Sequence, residues 1–246
     1  TVRANARRCL HGKHLATFDC TVETKTKFSL AQDYNFVTKE FLMNSVIRFR
    51  EANCKNCYKC LRSCPVKAIS FTGAQQAQVI DKACILCGEC LSVCPQNAKI
   101  VRDDVDKVRQ WTARKEKVYV SLAPSWVSSF PNADLSAMVP LLMNLGFTHV
   151  EETATGAAEV SREYARLLQE RSLPNIITTA CPTVVSLVEK HYPELLRYLA
   201  PVVSPMVAHA RMLRATFGPR IRVVFIGPCL SKKEEGSDVI HAGAVD

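Results

Sequence analysis

The sequence predicts two units of different class: a small α+β module built on an internal repeat, then an α/β unit whose sheet is mainly parallel. Three observations carry this. Eight of the twelve cysteines fall between Cys54 and Cys94, in two copies of one spacing. From Lys117 onward, apolar strand-like runs alternate with helix-like stretches, the pattern of a parallel sheet faced by helices. The 246 residues, 48% of them hydrophobic, suffice for one large domain or two smaller ones.

Residues 1–42 have no clear hydrophobic period and hold Cys9, Cys20 and several Thr and Lys. Met43 is followed by Asn44-Ser45-Val46-Ile47-Arg48-Phe49-Arg50, which reads as an edge strand. One reading makes Met43 the native start and 1–42 a non-native extension; the other keeps 1–42 as an N-terminal arm. The repeat module follows as residues 43–101. Each copy is a short strand, a C-x-x-C-x-x-C-x-x-x-C-P run, a small turn and a second strand. Cys54 to Pro65 is the first run and Cys84 to Pro95 the second, with similar exits at Val66-Lys67-Ala68-Ile69 and Gln96-Asn97-Ala98-Lys99-Ile100. Gly73 marks the turn between copies.

The spacing has a physical reason. Three cysteines on one tight loop converge on three corners of an iron–sulfur cube. The fourth, followed by Pro, lies too far along the chain and ligates the other cluster, as in two-cluster bacterial ferredoxins. One 4Fe-4S cluster is therefore assigned to Cys54, Cys57, Cys60 and Cys94, and the second to Cys84, Cys87, Cys90 and Cys64. Pro65 and Pro95 lack an N–H and end each ligand run, and Gly88 lets the backbone close to its cluster. Zinc also suits C-x-x-C, but it does not require four cysteines and a Pro per copy, duplicated. The first unit is thus read as an α+β dicluster ferredoxin module that moves single electrons at low potential.

Residues 102–116 are charged and read as a linker helix. In 117–246 the expected elements are strands at 118–122, 149–152, 176–179 and 221–226, the last with both faces buried. Helices are expected at 134–145, closed by Gly146, and at 159–170, 184–191 and 207–216. In such folds ligands collect at the carboxyl ends of strands.

Two cysteines remain in this unit. Cys181 follows an apolar run and precedes Pro182; Cys229 follows Val224-Phe225-Ile226-Gly227-Pro228 and precedes Lys232 and Lys233, a positive field. A lone buried cysteine is commonly inert. Taken together, however, Thr178-Thr179-Ala180-Cys181-Pro182, Tyr192-Pro193-Glu194-Leu195-Leu196 with Ser204-Pro205, and Gly227-Pro228-Cys229-Leu230-Ser231-Lys232-Lys233 resemble the FeFe-hydrogenase family, in that family's order. The resemblance runs from about Val46 to the end. It implies that Cys181 and Cys229 are two of four ligands to the 4Fe-4S part of an H-cluster. It further implies that Lys232 hydrogen-bonds a cyanide on the diiron part, and that Ser125, in Ala123-Pro124-Ser125, touches the other side of that site. A cation facing an anionic ligand in a dry pocket suits this chemistry. The implied substrates are H2 and protons, the implied partner a low-potential carrier such as ferredoxin, and the implied setting anaerobic.

Three departures qualify the resemblance. The family's proton-relay cysteine is Ala180 here, and a polar relay position is Ala200, leaving Glu163 and Glu235 as acidic candidates. The usual methionine is Gly227. The family's last cysteine motif is missing because the chain stops at Asp246, with 238–245 reading as the approach to another strand. The first two resemble the sensory, slow-turnover branch. The third implies an incomplete α/β domain, inactive alone, with the full H-cluster only in the complete protein. The competing readings are a dicluster electron carrier and a hydrogenase-like Fe–S scaffold without hydrogenase activity.

Composition argues against other classes. The net charge of +9 overstates the surplus, because ligating cysteines are thiolates, and the basic residues are scattered, so no nucleic-acid partner is expected. No apolar run reaches membrane-spanning length and no secretory h-region follows the basic start, so a cytoplasmic protein is expected.

Overall fold

The computed structural model describes residues 46–71, 76–171, 174–237 and 244–246. The N-terminal stretch with Cys9, Cys20 and Met43, the Gly73 turn and residues 238–243 lie outside them.

The first module contains β1 (Ile47–Phe49), α1 (Lys59–Ser63), β2 (Ile69–Ser70), β3 (Gln78–Val79), α2 (Glu89–Ser92) and β4 (Lys99–Val101). β1 pairs antiparallel with β4, Ile47 opposite Val101, and β2 with β3, Ile69 opposite Val79. The repeat is visible in the backbone as left-handed residues thirty positions apart: Asn56 and Leu86, Tyr58 and Gly88, Lys67 and Asn97. Both helices are short because each ends on a Cys-Pro step. The residue before Pro is pushed out of the helical region, and Cys64 is extended (φ −68°, ψ 117°). Val46, Ile47, Ala68, Ile69, Ala77 and Leu86 form the small core.

The charged linker is the helix α3 (Val105–Ala113), begun by Asp103 Oδ1, which accepts from Val105 N at 2.8 Å. Its Trp111 is buried, with Lys107 and Arg222 over the ring.

The second unit holds β5 (Val118–Leu122), α4 (Trp126–Ser129), α5 (Leu135–Asn144), β6 (His149–Glu152), α6 (Ala154–Glu170), α7 (Pro182–His191), α8 (Pro205–Phe217), β7 (Arg222–Ile226) and α9 (Ser231–Ser237). Its three-stranded sheet has the order β6-β5-β7 and is parallel throughout. β5 lies at the centre and is buried along its whole length. Its side chains alternate: Tyr119 packs with Val160, Val207, Leu213 and Val223 on one face, while Val120 and Leu122 meet Met138, Leu142 and Val150 on the other. Asp134 caps α5, its Oδ1 accepting from Ala137 N at 2.9 Å.

Several expectations are corrected. No strand forms over 176–179; a single parallel bridge joins Ile177 to Leu199. A ladder stops there because the N–H of Thr179 goes to the Tyr164 hydroxyl at 2.9 Å. β7 is an edge of the sheet among the described residues, and Val223 alone within it is buried, so its expected double burial does not hold. α6 begins five residues early, at Ala154. The small residues that obscured its start serve a close crossing of α8. A Cβ on Gly156 would collide with Pro205 O and lie 2.7 Å from His209 N. α7 and α8 each begin two residues early with Pro at N1, a position that needs no N–H. The helix α4 had no clear sequence signal.

Candidate metal centre

Two hollows open in the first module, each walled by four of the eight motif cysteines. Cys54, Cys57, Cys60 and Cys94 line one of about 320 Å³, with Phe49, Ala77, Gln96 and Lys99. Cys64, Cys84, Cys87 and Cys90 line the other, of about 310 Å³, with Ile47, Ile69 and Gly88. Both volumes include the mouth that opens to solvent. Each hollow takes three cysteines from one copy and one from the other. Backbone donors reach the sulfurs: Ala68 N to Cys64 Sγ at 3.2 Å, Ala98 N to Cys94 Sγ at 3.3 Å and Leu86 N to Cys84 Sγ at 3.4 Å. Such N–H···S bonds favour thiolate and tune a bound cluster. Among the described residues no three His, Cys, Asp or Glu side chains close to the spacing of a single metal ion. Four cysteine sulfurs around one hollow are the donor set of a four-iron cube.

Burial pushes the Cys60 and Cys84 thiols up. Burial, then the Cys84 sulfur, pushes Cys90 up to about 11. At Cys94 burial acts upward too, but the N–H groups of Ala98, Gln96 and Lys99 outweigh it and the thiol falls. A metal loading such a site displaces the protons that burial retains. Lys99 is 5% exposed; its Nζ donates to Ala77 O and lies 3.9 Å from the centre of the Phe49 ring. Burial pulls this ammonium down, while the Cys60, Cys90, Cys54 and Cys94 sulfurs hold it up.

In the second unit the Cys181 and Cys229 loops are stitched together. Cys181 is the exposed N-cap of α7; Cys229, half-buried, follows β7. Thr183 Oγ1 donates to Ser231 Oγ at 3.0 Å, and Ser231 Oγ lies 3.1 Å from Cys229 Sγ. Lys232 Nζ donates to Ala180 O at 3.1 Å and to Glu235 Oε2 at 2.8 Å, and Ser204 Oγ donates to the same oxygen at 3.0 Å. Cys181, Cys229, Lys232 and Glu235 therefore share one locality. Ser125 is exposed, and among the described residues no hydrogen bond joins it to this locality; Ala123, two residues earlier, would meet a Cβ on Gly227 at 2.8 Å. Glu163 is engaged elsewhere, its carboxylate paired with Arg166 on α6. Of the two lysines after Cys229, Lys232 pairs with Glu235 and Lys233 with Asp104 at 2.6 Å.

Sequence reasoning missed how the units meet. Lys190 Nζ donates to Cys84 O at 2.6 Å and His191 Nε2 bonds Ala83 O at 2.8 Å, so the end of α7 grips the second cysteine loop. Leu230, next to Cys229, packs into the core of the first module, its Cδ1 2.9 Å from where a Gly88 Cβ would stand. A basic helix end usually signals only termination, so Lys190 and His191 gave no warning of this. The cysteine set around Gly88 is thus the one beside Cys229.

The thiolates of the first module fit two four-iron cubes. In the second unit Cys181 and Cys229 are the cysteines present among the described residues.

These features define an iron–sulfur protein with a hydrogenase-like second unit. Residues 47–101 match the 4Fe-4S dicluster domain, and residues 116–246 match the iron only hydrogenase large subunit, C-terminal domain. The chain belongs to the iron-only hydrogenase large-subunit family. It is 26% identical over 189 residues to the NADP-reducing hydrogenase subunit HndD of Solidesulfovibrio fructosivorans, covering 66% of this chain and 32% of that protein. It is 24% identical over 185 residues to the cytosolic Fe-S cluster assembly factor NAR1 of Yarrowia lipolytica, covering 66% and 38%. The chain thus spans about a third of the length of these curated relatives. The apo FeFe-hydrogenase HydA1 of Chlamydomonas reinhardtii aligns with a TM-score of 0.49 at 23% identity, covering 59% of this chain and 44% of that one. Among the described residues no helix is long and apolar enough to cross a membrane.

Proposed function

We propose that this chain is the electron-transfer portion of an FeFe-hydrogenase that senses H2 or turns it over slowly. Cys54, Cys57, Cys60 and Cys94 hold one 4Fe-4S cluster, and Cys84, Cys87, Cys90 and Cys64 hold the second. The carrying observation is that two hollows are walled by these two sets, with the second set packed through Leu230 against the Cys229 loop. Bound clusters would supply reversible one-electron chemistry. The chain's own residues supply thiolates, N–H donors to sulfur, and contacts that hold the units in fixed order. A low-potential carrier such as ferredoxin is the proposed external partner, in a cytoplasmic and anaerobic setting.

In the second unit, Cys181 and Cys229 are proposed ligands to the 4Fe-4S part of an H-cluster. Lys232 presents an ammonium at that locality, held by Ala180 O and Glu235. Ala180 carries no proton, which favours sensing or slow turnover over fast catalysis.

Anaerobic reconstitution with iron and sulfide, followed by iron analysis, tests the first part. Two four-iron clusters are expected in the unmodified chain, one in Cys94→Ala and one in Cys64→Ala. Retention of both clusters in either variant would sink the crossed assignment. Dye-linked H2 uptake by the matured full-length protein tests the second part, and complete inactivity would remove the hydrogenase reading. A second reading, an electron carrier or Fe–S scaffold without hydrogenase activity, draws on the comparable similarity to an assembly factor.

A further inference from the structure

The two copies of the cysteine repeat differ in charge at a position that is buried in both. Five residues after the fourth cysteine, the first copy has Ile69 and the second has Lys99. Both are buried, at 7% and 5% exposure, so a lysine stands where the repeat calls for an aliphatic side chain. The backbone there is equivalent: Lys67 and Asn97, two residues before, share the left-handed conformation, and Ala68 N and Ala98 N make matching bonds to Cys64 and Cys94. Burying a lysine is unfavourable unless its charge finds partners. Lys99 has one carbonyl, Ala77 O, and the face of Phe49. It lines the hollow of Cys54, Cys57, Cys60 and Cys94 and is absent from the lining of the other. Its charge acts on three sulfurs of that set, Cys60, Cys54 and Cys94, and on Cys90 of the second.

Adding an electron to a cluster makes and breaks no bond and adds one negative charge. A fixed cation nearby favours the reduced form, and net charge is among the established determinants of cluster potential. We propose that Lys99 makes the two clusters unequal, raising the reduction potential of the one at Cys54, Cys57, Cys60 and Cys94 above that of its neighbour. This rests on the two-cluster assignment above. The first electron supplied by a one-electron donor then resides on the cluster away from Leu230, and a second electron is needed to populate the one beside it.

The test is a dithionite titration of the cluster-loaded full chain, followed by electron paramagnetic resonance. Iron analysis is done first: less than two clusters' worth of iron in the unmodified protein defeats the underlying assignment, not the role of Lys99. Lys99→Gln keeps a donor for Ala77 O but removes the charge. It is expected to weaken reduction of the higher-potential cluster at least tenfold at fixed potential, about 59 mV for one electron, and to leave the other in place. Lys99→Arg is expected to restore it. A merely structural tie would leave both potentials unchanged in Lys99→Gln, and that result, or an equal shift of both, overturns the proposal. If Lys99→Gln takes up no iron, Ile69→Lys decides. A second cation at the equivalent position is expected to raise the lower wave and narrow the gap, and an unchanged gap overturns the proposal.

Discussion

Lys232 and Glu235 form an ion pair of 2.8 Å whose side chains are only 11% and 10% exposed. Ser204 Oγ completes the carboxylate at 3.0 Å, and Ala180 O takes a second proton of the ammonium. Two separate segments, at Ala180 and at Ser204, are tied to one turn of α9 by this pair. Removing one partner leaves the other buried without its counter-charge, which costs about 3 kcal/mol. Lys232→Met is expected to show that loss in urea unfolding, and Lys232→Met with Glu235→Gln to recover part of it. Simple additivity of the two single changes would show that the residues are not coupled.

His209 links three elements and makes stability sensitive to acid. The ring is fully buried, with Nδ1 2.8 Å from Ser121 Oγ and Nε2 3.2 Å from Glu151 Oε2. Burial pulls its pKa below the ordinary 6.5, although the Glu151 hydrogen bond and charge act upward. The unfolded chain therefore binds the proton first. The neutral ring's contribution is complete above 6.5 and is lost as pH falls from there through the depressed folded value. At Glu151, burial acts upward, but hydrogen bonds from His149 and His209 bring the carboxyl below 4.5, so its contribution is lost only in stronger acid. The urea midpoint is expected to fall between about pH 7.5 and about pH 5.5 in the unmodified protein and to fall less in His209→Gln. Equal slopes in the two proteins would exclude His209 as the source.

Tyr164 positions the approach to Cys181. Its hydroxyl accepts from Thr179 N at 2.9 Å, and Thr179 Oγ1 donates to Val202 O at 2.5 Å. Tyr164→Phe strands a half-buried N–H, a loss of about 1–2 kcal/mol. Amide exchange at Thr179 is expected to accelerate more than exchange in β5. Unchanged protection at Thr179 would show that the hydroxyl is dispensable.

Gly156 lets α6 and α8 cross at backbone contact. An added Cβ would meet Pro205 O and His209 N, main-chain atoms that cannot swing aside. Gly156→Ala is expected to destabilise the second unit by about 3 kcal/mol, near the upper range for overpacking. Thermal unfolding of the variant checks this; an unshifted midpoint would mean that the helices can separate freely.

The central strands were legible because their signals are local. Val118–Leu122 is an apolar run between polar neighbours, and His149–Glu152 follows a Gly-closed helix; both form at the expected residues. The cysteine repeat was equally plain, because its spacing alone implies a folded unit. What escaped were features settled across long separations. Ile176-Ile177 reads as strand by side-chain type, yet a tyrosine fifteen residues earlier takes the next N–H. Gly156-Ala157-Ala158 reads as a weak helix start until the helix it touches is known. Leu230 reads as an ordinary loop residue, and its docking on Gly88 has no local signature.

The two copies in the first module are not interchangeable at one end. Tyr58 and Gly88 occupy equivalent left-handed positions, at φ 54° and 84°, each ahead of a short helix. Tyr58 carries a ring that rests on Phe71, 4.9 Å between centroids, whereas Gly88 leaves the space that Leu230 enters. The module behaves as a keyed plug: turned about its internal pseudo-twofold, it would offer a tyrosine to Leu230 and could not seat. One absent side chain thereby sets which cysteine set faces the second unit and gives a nearly symmetric object a front and a back.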